Sequence, residues 1–409
     1  MNVTGDPYLG RSRTAKWYER LRPGARLPFA AAAYILFVLT VGTNIPTPLY
    51  ALYQTEFGLS PLMVTLIFAV YAGTLIPTAM LAGALTDSIG YRRMARPAIA
   101  LAAVAALLFL CAHSVAWLFA ARALQGISVG SASSALTAAL VETEPAGDRA
   151  RASLLASTMI TGGGGIGPIL SGFLGQHAPL PLRLTYLVEL ALLALAAAAA
   201  TLLPRQTRPG VRRFHRPHIP APLRRRFALA SAVSVLGWAA VALFLAVVPS
   251  YATTILHRHD LLLSGTAAGM FLLFAAGTQY GLARAGAVAR PTTGLLLLCV
   301  GLAMLAAAGG TRSLWLLLAA AACGGAGQGI TFIAALARVN ELAPPESRAE
   351  ILSAFYMVTY LGVGLPVIGV GLLATSTDLL TAVVAFSAVA IPACVFVAAK
   401  SRTGWVNTL

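Results

Sequence analysis

Charge is the scarcest thing in this chain. Only 10% of its 409 residues are Asp, Glu, Lys or Arg, against about 25% in an average soluble domain. Acids are scarcer still, 13 against 29 basic residues, so the net charge is +16. The four cysteines (Cys111, Cys299, Cys323 and Cys394) all lie in apolar runs without CxxC spacing. That excludes a disulfide framework or a cysteine metal site and leaves small buried hydrophobes. There is no GxxxxGK[ST] phosphate loop, no cluster of His and Asp inside the apolar runs and no nucleophile with a base at hand, so ATP-driven work and enzyme chemistry are not expected.

What fills the chain is apolar. Hydrophobic residues make up 58% of it and mean hydropathy is +0.80. A helix crosses a hydrocarbon core of about 30 Å with about 20 apolar residues. The apolar runs predict twelve such spans, at 28–51, 61–85, 97–116, 118–141, 153–174, 184–203, 227–251, 264–285, 291–310, 313–337, 350–374 and 379–399. The first run contains Pro46 and Pro48 and is too long for a signal h-region, so it reads as a span. The domain plan is a basic tail (1–27), a six-helix bundle (28–203), a basic linker (204–226), a second six-helix bundle (227–400) and a tail (401–409).

Twelve spans place both termini on one side. Twenty-five Lys and Arg fall on that side, three (Arg183, Arg258 and Arg312) on the other, and Arg122 within a span. The positive-inside rule then puts the termini in the cytoplasm. The same asymmetry accounts for the net charge without a nucleic-acid partner, and the linker arginines are read as a solvated topology signal. Arg outnumbers Lys 27 to 2 in an Ala-rich chain, as a GC-rich bacterial genome would give.

The two halves echo one another. Pro48 and Tyr50 recur as Pro249 and Tyr251, Gln125–Gly126 as Gln328–Gly329, Arg149–Ala150 as Arg348–Ala349, and Pro168 as Pro366. These offsets agree within five residues, near 200. Repeated six-span halves with a path between them are the architecture of a secondary transporter.

Three motifs sharpen this. GALTDSIGYRR (83–93), expected in the loop after span 2, combines Gly83 for close helix approach, Asp87 as an anion at the span end and Gly90 for a tight turn. Arg92 and Arg93 are placed to pair with Asp87 or with helix carbonyl ends. ARALQGISVG (121–130) opens span 4 with Arg122 about a turn inside the membrane and Gln125 on the same face. An intramembrane Arg is a functional candidate by default, against the alternative of snorkelling to headgroups. GGGIGPILSG (163–172) gives span 5 a bare face through Gly163, Gly167 and Gly172, with a kink at Pro168.

These motifs resemble motifs A, B and C of the major facilitator superfamily, and the resemblance covers essentially the whole chain. It implies an all-α membrane protein of twelve helices in two pseudo-symmetric six-helix bundles. It further implies a conformational latch at Gly83, Asp87, Gly90, Arg92 and Arg93, and a packing hinge at Gly163, Gly167, Pro168 and Gly172. Motif C marks exporters, and drug:proton antiporters in particular. Spans 1, 4, 7 and 10 line the cavity in this superfamily, which ranks Asn44, Arg122, Gln125, Trp238 and Gln328 first, with Tyr34 and Gln279 as further polar candidates. Many drug:proton antiporters carry an acid in span 1, where this chain has Asn44.

Coupling needs a titratable group within the spans. Only Glu189, in span 6, lies well inside an apolar run, at a depth close to that of Arg122, so a buried pair is one expectation. His257, His259 and Asp260 follow span 7, but three ligands on one short loop make a poor metal site, and a solvated loop is expected. An aromatic and Gln-lined cavity with one Arg and little acid suits a neutral or anionic amphiphile. The expected protein is therefore a monomeric exporter of small molecules, with protons and membrane lipids as its other partners and no cofactor. Uptake of a sugar or organic ion, or lipid translocation, on the same fold is the alternative.

Overall fold

The structure, a computed structural model, describes residues 26–205, 219–255, 260–344 and 347–406, without the side chains of residues 83, 84, 87, 88, 254, 349 and 403–406. Most of the N-terminal tail, linker residues 206–218, His257, His259 and the last three residues thus lie outside the described residues.

Twelve helices long and apolar enough to cross a membrane are present. Span 1 comprises the helices Arg26–Asn44 and Pro46–Phe57. Spans 2 to 6 are Pro61–Ile89, Tyr91–Leu110, Val115–Thr143, Arg149–His177 and Pro181–Ala199. Span 7 is again double, Arg224–Ala246 and Val248–Thr254. Spans 8 to 12 are Leu261–Ala285, Pro291–Thr311, Leu314–Leu342, Arg348–Ser376 and Leu379–Val406. No strand occurs among the described residues.

Spans 1 and 7 break for the same reason. Pro46 has no N–H to give the carbonyl of Gly42, and Pro249 has none for that of Leu245, so each helix restarts after its break. Elsewhere, short polar side chains start the spans. Ser60 accepts from the Met63 N–H (3.2 Å) and Asp260 from the Leu263 N–H (3.0 Å). Asp260, one of the three expected loop residues, is therefore a helix cap.

One expectation changes here. The basic motif does not lie in a loop: spans 2 and 3 are separated by Gly90 alone, and Arg92, Arg93 and Arg96 belong to the first turns of span 3. Gly90 has φ 86° and ψ 151°, a backbone region open essentially to glycine, and this turns the chain within one residue. Arg favours helix once the turn is made.

The two six-helix halves each bury their own core. Their pseudo-symmetry shows at the backbone. Gly126 of span 4 lies against the Tyr71 carbonyl of span 2, and Gly329 of span 10 lies against the Ala275 carbonyl of span 8. The halves meet through spans 5 and 8 and through spans 2 and 11. We call the side carrying the termini and linker the linker side, and the opposite one the far side. On the far side, the Leu62 N–H donates to Thr375 Oγ1 (3.0 Å), Ser250 Oγ to Gln54 Oε1 (2.8 Å) and the Leu261 N–H to Gln176 Oε1 (2.9 Å). Each of these ties one half to the other. Outward faces stay apolar and exposed, as with Val389 and Phe396 of span 12.

Candidate transport site

The site is built on the break in span 1. With Pro46 in place, the Gly42 carbonyl lacks the N–H four residues on and keeps only a long bond from the Ile45 N–H (3.4 Å), and Gln125 Nε2 of span 4 donates to it at 3.0 Å. One residue on, Arg122 Nη1 donates to the Thr43 carbonyl at 2.6 Å and to Gln125 Oε1 at 3.0 Å. The guanidinium is 1% exposed and lies over the rings of Tyr71 (4.7 Å) and Phe68 (5.3 Å) of span 2. Arg122 therefore does not snorkel. It and Gln125 hold the two carbonyls beside a proline break, with aromatic faces completing the cation's surroundings.

Glu189 reaches the same turn from span 6. It is 2% exposed, and its Oε1 packs on Gly42 so closely that a methyl group there would overlap it. The expected pair with Arg122 is not made: among the described residues no Lys, Arg or His nitrogen lies within ion-pair distance of Glu189. Glu189 Oε2 and Arg122 Nε are each left without a hydrogen-bond partner.

In the second half, Trp238 of span 7 meets Phe332 of span 10 edge-on (5.7 Å) and Tyr360 of span 11 (5.9 Å). Its Nε1 has no partner. Gln328, the counterpart of Gln125, is 1% exposed and packs on Gly237, yet neither its Nε2 nor its Oε1 is hydrogen-bonded. The symmetry fails because the counterpart of Arg122 is Gly325, which lies against the Phe271 carbonyl of span 8 and leaves no room for a side chain.

The remaining candidates divide. Asn44 ends the first helix of span 1, its Nδ2 over Gly164 of span 5 and beside Leu272 of span 8, at the seam. Gln279 also belongs to the seam, its Oε1 accepting from Ser157 Oγ of span 5 at 2.8 Å. Tyr34 is tied within the first half: its hydroxyl donates to the Leu192 carbonyl of span 6 (3.2 Å). The hinge glycines face two ways. Gly163 and Gly167 pack on Thr40 and the Val41 carbonyl of span 1, in their own half, whereas Gly172 and the Pro168 carbonyl meet Leu261 and Gly265 of span 8. Gly165 and Gly269 lie backbone to backbone at the same seam. Of the latch residues, Gly90, Arg92 and Arg93 sit together at the span 2–3 turn, while the side chains of Gly83 and Asp87 lie outside those described.

Sequence reasoning missed Gly42, Thr43, Phe68 and the second face of the span 5 glycines. The Pro46 break pointed to the freed Gly42 carbonyl, but only the packing of span 4 shows what takes it. Glu144 was also missed as a structural residue: buried, it accepts from the N–H groups of Ala146 and Asp148 (2.7 and 2.8 Å) and shapes the turn between spans 4 and 5. No group of three potential metal ligands occurs among the described residues.

Known proteins agree with this architecture. The quinolone resistance protein NorA of Staphylococcus aureus strain MRSA252 is 23% identical over 141 residues, 34% of this chain. The match spans only about a third (36%) of NorA's length. Among solved structures, a bacterial homologue of the human lysosomal transporter Spinster, inward-facing and occupied, aligns with TM-score 0.72 at 17% identity, covering 93% of this chain and 98% of that one. The nucleoside transporter NupG aligns with TM-score 0.68 at 15% identity, covering 92% and 99%. At such identities the likeness is one of fold. The family profile described as Major Facilitator Superfamily matches residues 32–367, so this multi-pass membrane protein belongs to the major facilitator superfamily and is a transporter, not an enzyme.

Proposed function

We propose that this transporter exports small amphiphilic molecules by alternating access, in exchange for protons, from the cytoplasm of a bacterium. The observation that carries the reading is the bare face of span 5. Gly165, Pro168 and Gly172 let it lie backbone to backbone on span 8, and the polar ties between Leu62 and Thr375 and between Gln54 and Ser250 stand on the same far side. A seam of this kind separates and re-forms without reshaping side chains, as rocking halves require. The partial similarity to a quinolone resistance protein supports the export direction.

In this reading the far side is the outside, both termini are cytoplasmic, and the structure is the conformation closed to the outside. The span 2–3 turn (Gly83, Asp87, Gly90, Arg92 and Arg93) is the latch on the cytoplasmic side. Asn44, Trp238 and Gln328 face the cargo from spans 1, 7 and 10, and Arg122 with Gln125 governs the break in span 1. An Arg ringed by aromatics, with no exposed acid beside it, favours neutral or anionic amphiphiles over strongly cationic ones. The protein works as a monomer in the cytoplasmic membrane.

Efflux of a fluorescent quinolone from a pump-deficient bacterial host tests this. Efflux that collapses with a protonophore is the expected result. Accumulation in place of efflux would move the reading to uptake of a sugar or organic ion, or to lipid translocation, on the same fold.

A further inference from the structure

We propose that Glu189 is the group that takes up and releases the transported proton, and that it acts on span 1 by competing for Arg122. The inference rests on the proton-coupled export reading above and names the residue that such a cycle needs.

Among the described residues two acids are buried, Glu144 and Glu189. Glu144 is engaged at a turn: its Oε2 accepts from two backbone N–H groups, and its Oε1, without a hydrogen bond, is ion-paired with Arg151 at 3.5 Å. Glu189 has no such partners. It stands eight residues into span 6, about 12 Å along the helix, one oxygen against Gly42 and the other without a donor. A carboxylate stripped of water needs a cation, since an uncompensated buried charge costs several kcal/mol. The cation at hand is Arg122, held on the neighbouring carbonyl of the same turn with its own Nε unpaired. An unpaired acceptor thus lies against Gly42, and an unpaired donor belongs to the side chain held on Thr43, the next residue; the absence of a side chain at Gly42 is what admits the carboxyl to this turn.

Two arrangements follow. With the proton on Glu189, the carboxyl is neutral and Arg122 stays on the Thr43 carbonyl, as in the structure. When the proton leaves to water on the cytoplasmic side, the carboxylate draws the guanidinium away from Thr43. The break at Asn44–Pro46 then loses one of its two side-chain props, and the outer part of span 1, whose Gln54 ties the halves together through Ser250, is freed to swing.

The groups facing Glu189 suit this role. Tyr186 lies one turn toward the far side on the same helix, hydrogen-bonded to the Tyr53 hydroxyl of span 1 (3.2 Å), and Tyr50 of span 1 has an unpartnered hydroxyl. These hydroxyls offer a proton route from the outer face. Spans 3 and 5 bring no titratable residue to this depth: the charged residues of span 3 are Arg92, Arg93 and Arg96 at its linker end, and those of span 5 are Arg149, Arg151 and His177 at its ends.

Infrared difference spectra between acid and alkaline pH, on the full chain in phospholipid vesicles, test the proposal without a known cargo. The wild type is expected to show a buried carboxylic-acid C=O band that vanishes on raising the pH. Glu189→Gln should lose this band and Glu144→Gln should keep it. A band that survives in Glu189→Gln, or no such band in the wild type, would overturn the proposal. Quinolone efflux provides the second arm. Glu189→Gln should abolish the protonophore-sensitive part while leaving downhill flux, whereas unchanged protonophore-sensitive efflux in that variant would overturn the assignment. Wild-type efflux indifferent to a protonophore would defeat proton coupling and with it the transported proton, while export would stand, and the infrared result would still decide whether Glu189 titrates.

Discussion

Arg122 and Glu189 approach one turn of span 1 from two different helices and do not meet. Arg122 holds the Thr43 carbonyl at 2.6 Å, while Glu189 presses on Gly42 one residue earlier. Both are almost wholly buried, so the helix break between Asn44 and Pro46 is propped by a cation and touched by an acid with no direct neutralisation.

Gln125 completes that prop. Replacing it with Leu leaves one Arg122 N–H without its partner and the Gly42 carbonyl with only the long bond from the Ile45 N–H (3.4 Å), and an unsatisfied buried group costs about 1–3 kcal/mol. The solubilised Gln125→Leu protein should unfold at a clearly lower temperature than the wild type. An unchanged melting curve would show that the carbonyl is satisfied in some other way.

Gln328 should behave in the opposite sense. Its amide is buried without a partner on either atom, so Leu, of similar size, removes two unsatisfied groups. Such replacements are nearly neutral or stabilising. Gln328→Leu is expected to melt at the same or a higher temperature and, on the proposed cargo-facing role of its amide, to transport poorly. Normal quinolone efflux by this variant would remove Gln328 from the site.

The span 5–8 seam tolerates no side chain. A Cβ at position 269 would strike the Gly165 carbonyl and Ile169, and backbone cannot move aside cheaply. In a Cys111→Ser background, Gly269→Ala should raise the labelling rate of a Ser250→Cys probe, buried on the far side, by a membrane-impermeant thiol reagent added outside. Equal labelling with Gly and Ala at 269 would mean that the far side does not close at this seam.

Gly90 carries the turn between spans 2 and 3 at φ 86° and ψ 151°. Non-glycine residues held in that region cost about 1–3 kcal/mol. Gly90→Ala should therefore lower thermal stability and the yield of protein in the membrane. Should it express and melt like the wild type, the turn must adopt another conformation.

The amino-acid sequence by itself determined the membrane class, the twelve spans, the two halves and the family. Each of these follows from local physics: runs of about 20 apolar residues, arginines gathered on one side and glycine or proline at fixed offsets. It also singled out Arg122, Gln125 and Glu189, because a polar side chain inside an apolar run stands out without any knowledge of its neighbours. It did not show that Arg92 and Arg93 are helical, since a one-residue turn depends on the backbone angles of Gly90. Nor did it show what Arg122 binds. That depended on span 4 packing against the break in span 1, where Gln125 takes the Gly42 carbonyl and Arg122 the Thr43 carbonyl, a meeting of residues about 80 positions apart in the chain. Tyr34 and Gln279 were equally polar and equally placed in their spans, yet one tethers span 6 and the other ties the seam. Which way a side chain points from a helix buried on several sides depends on which neighbour it meets, and only the tertiary packing decides that.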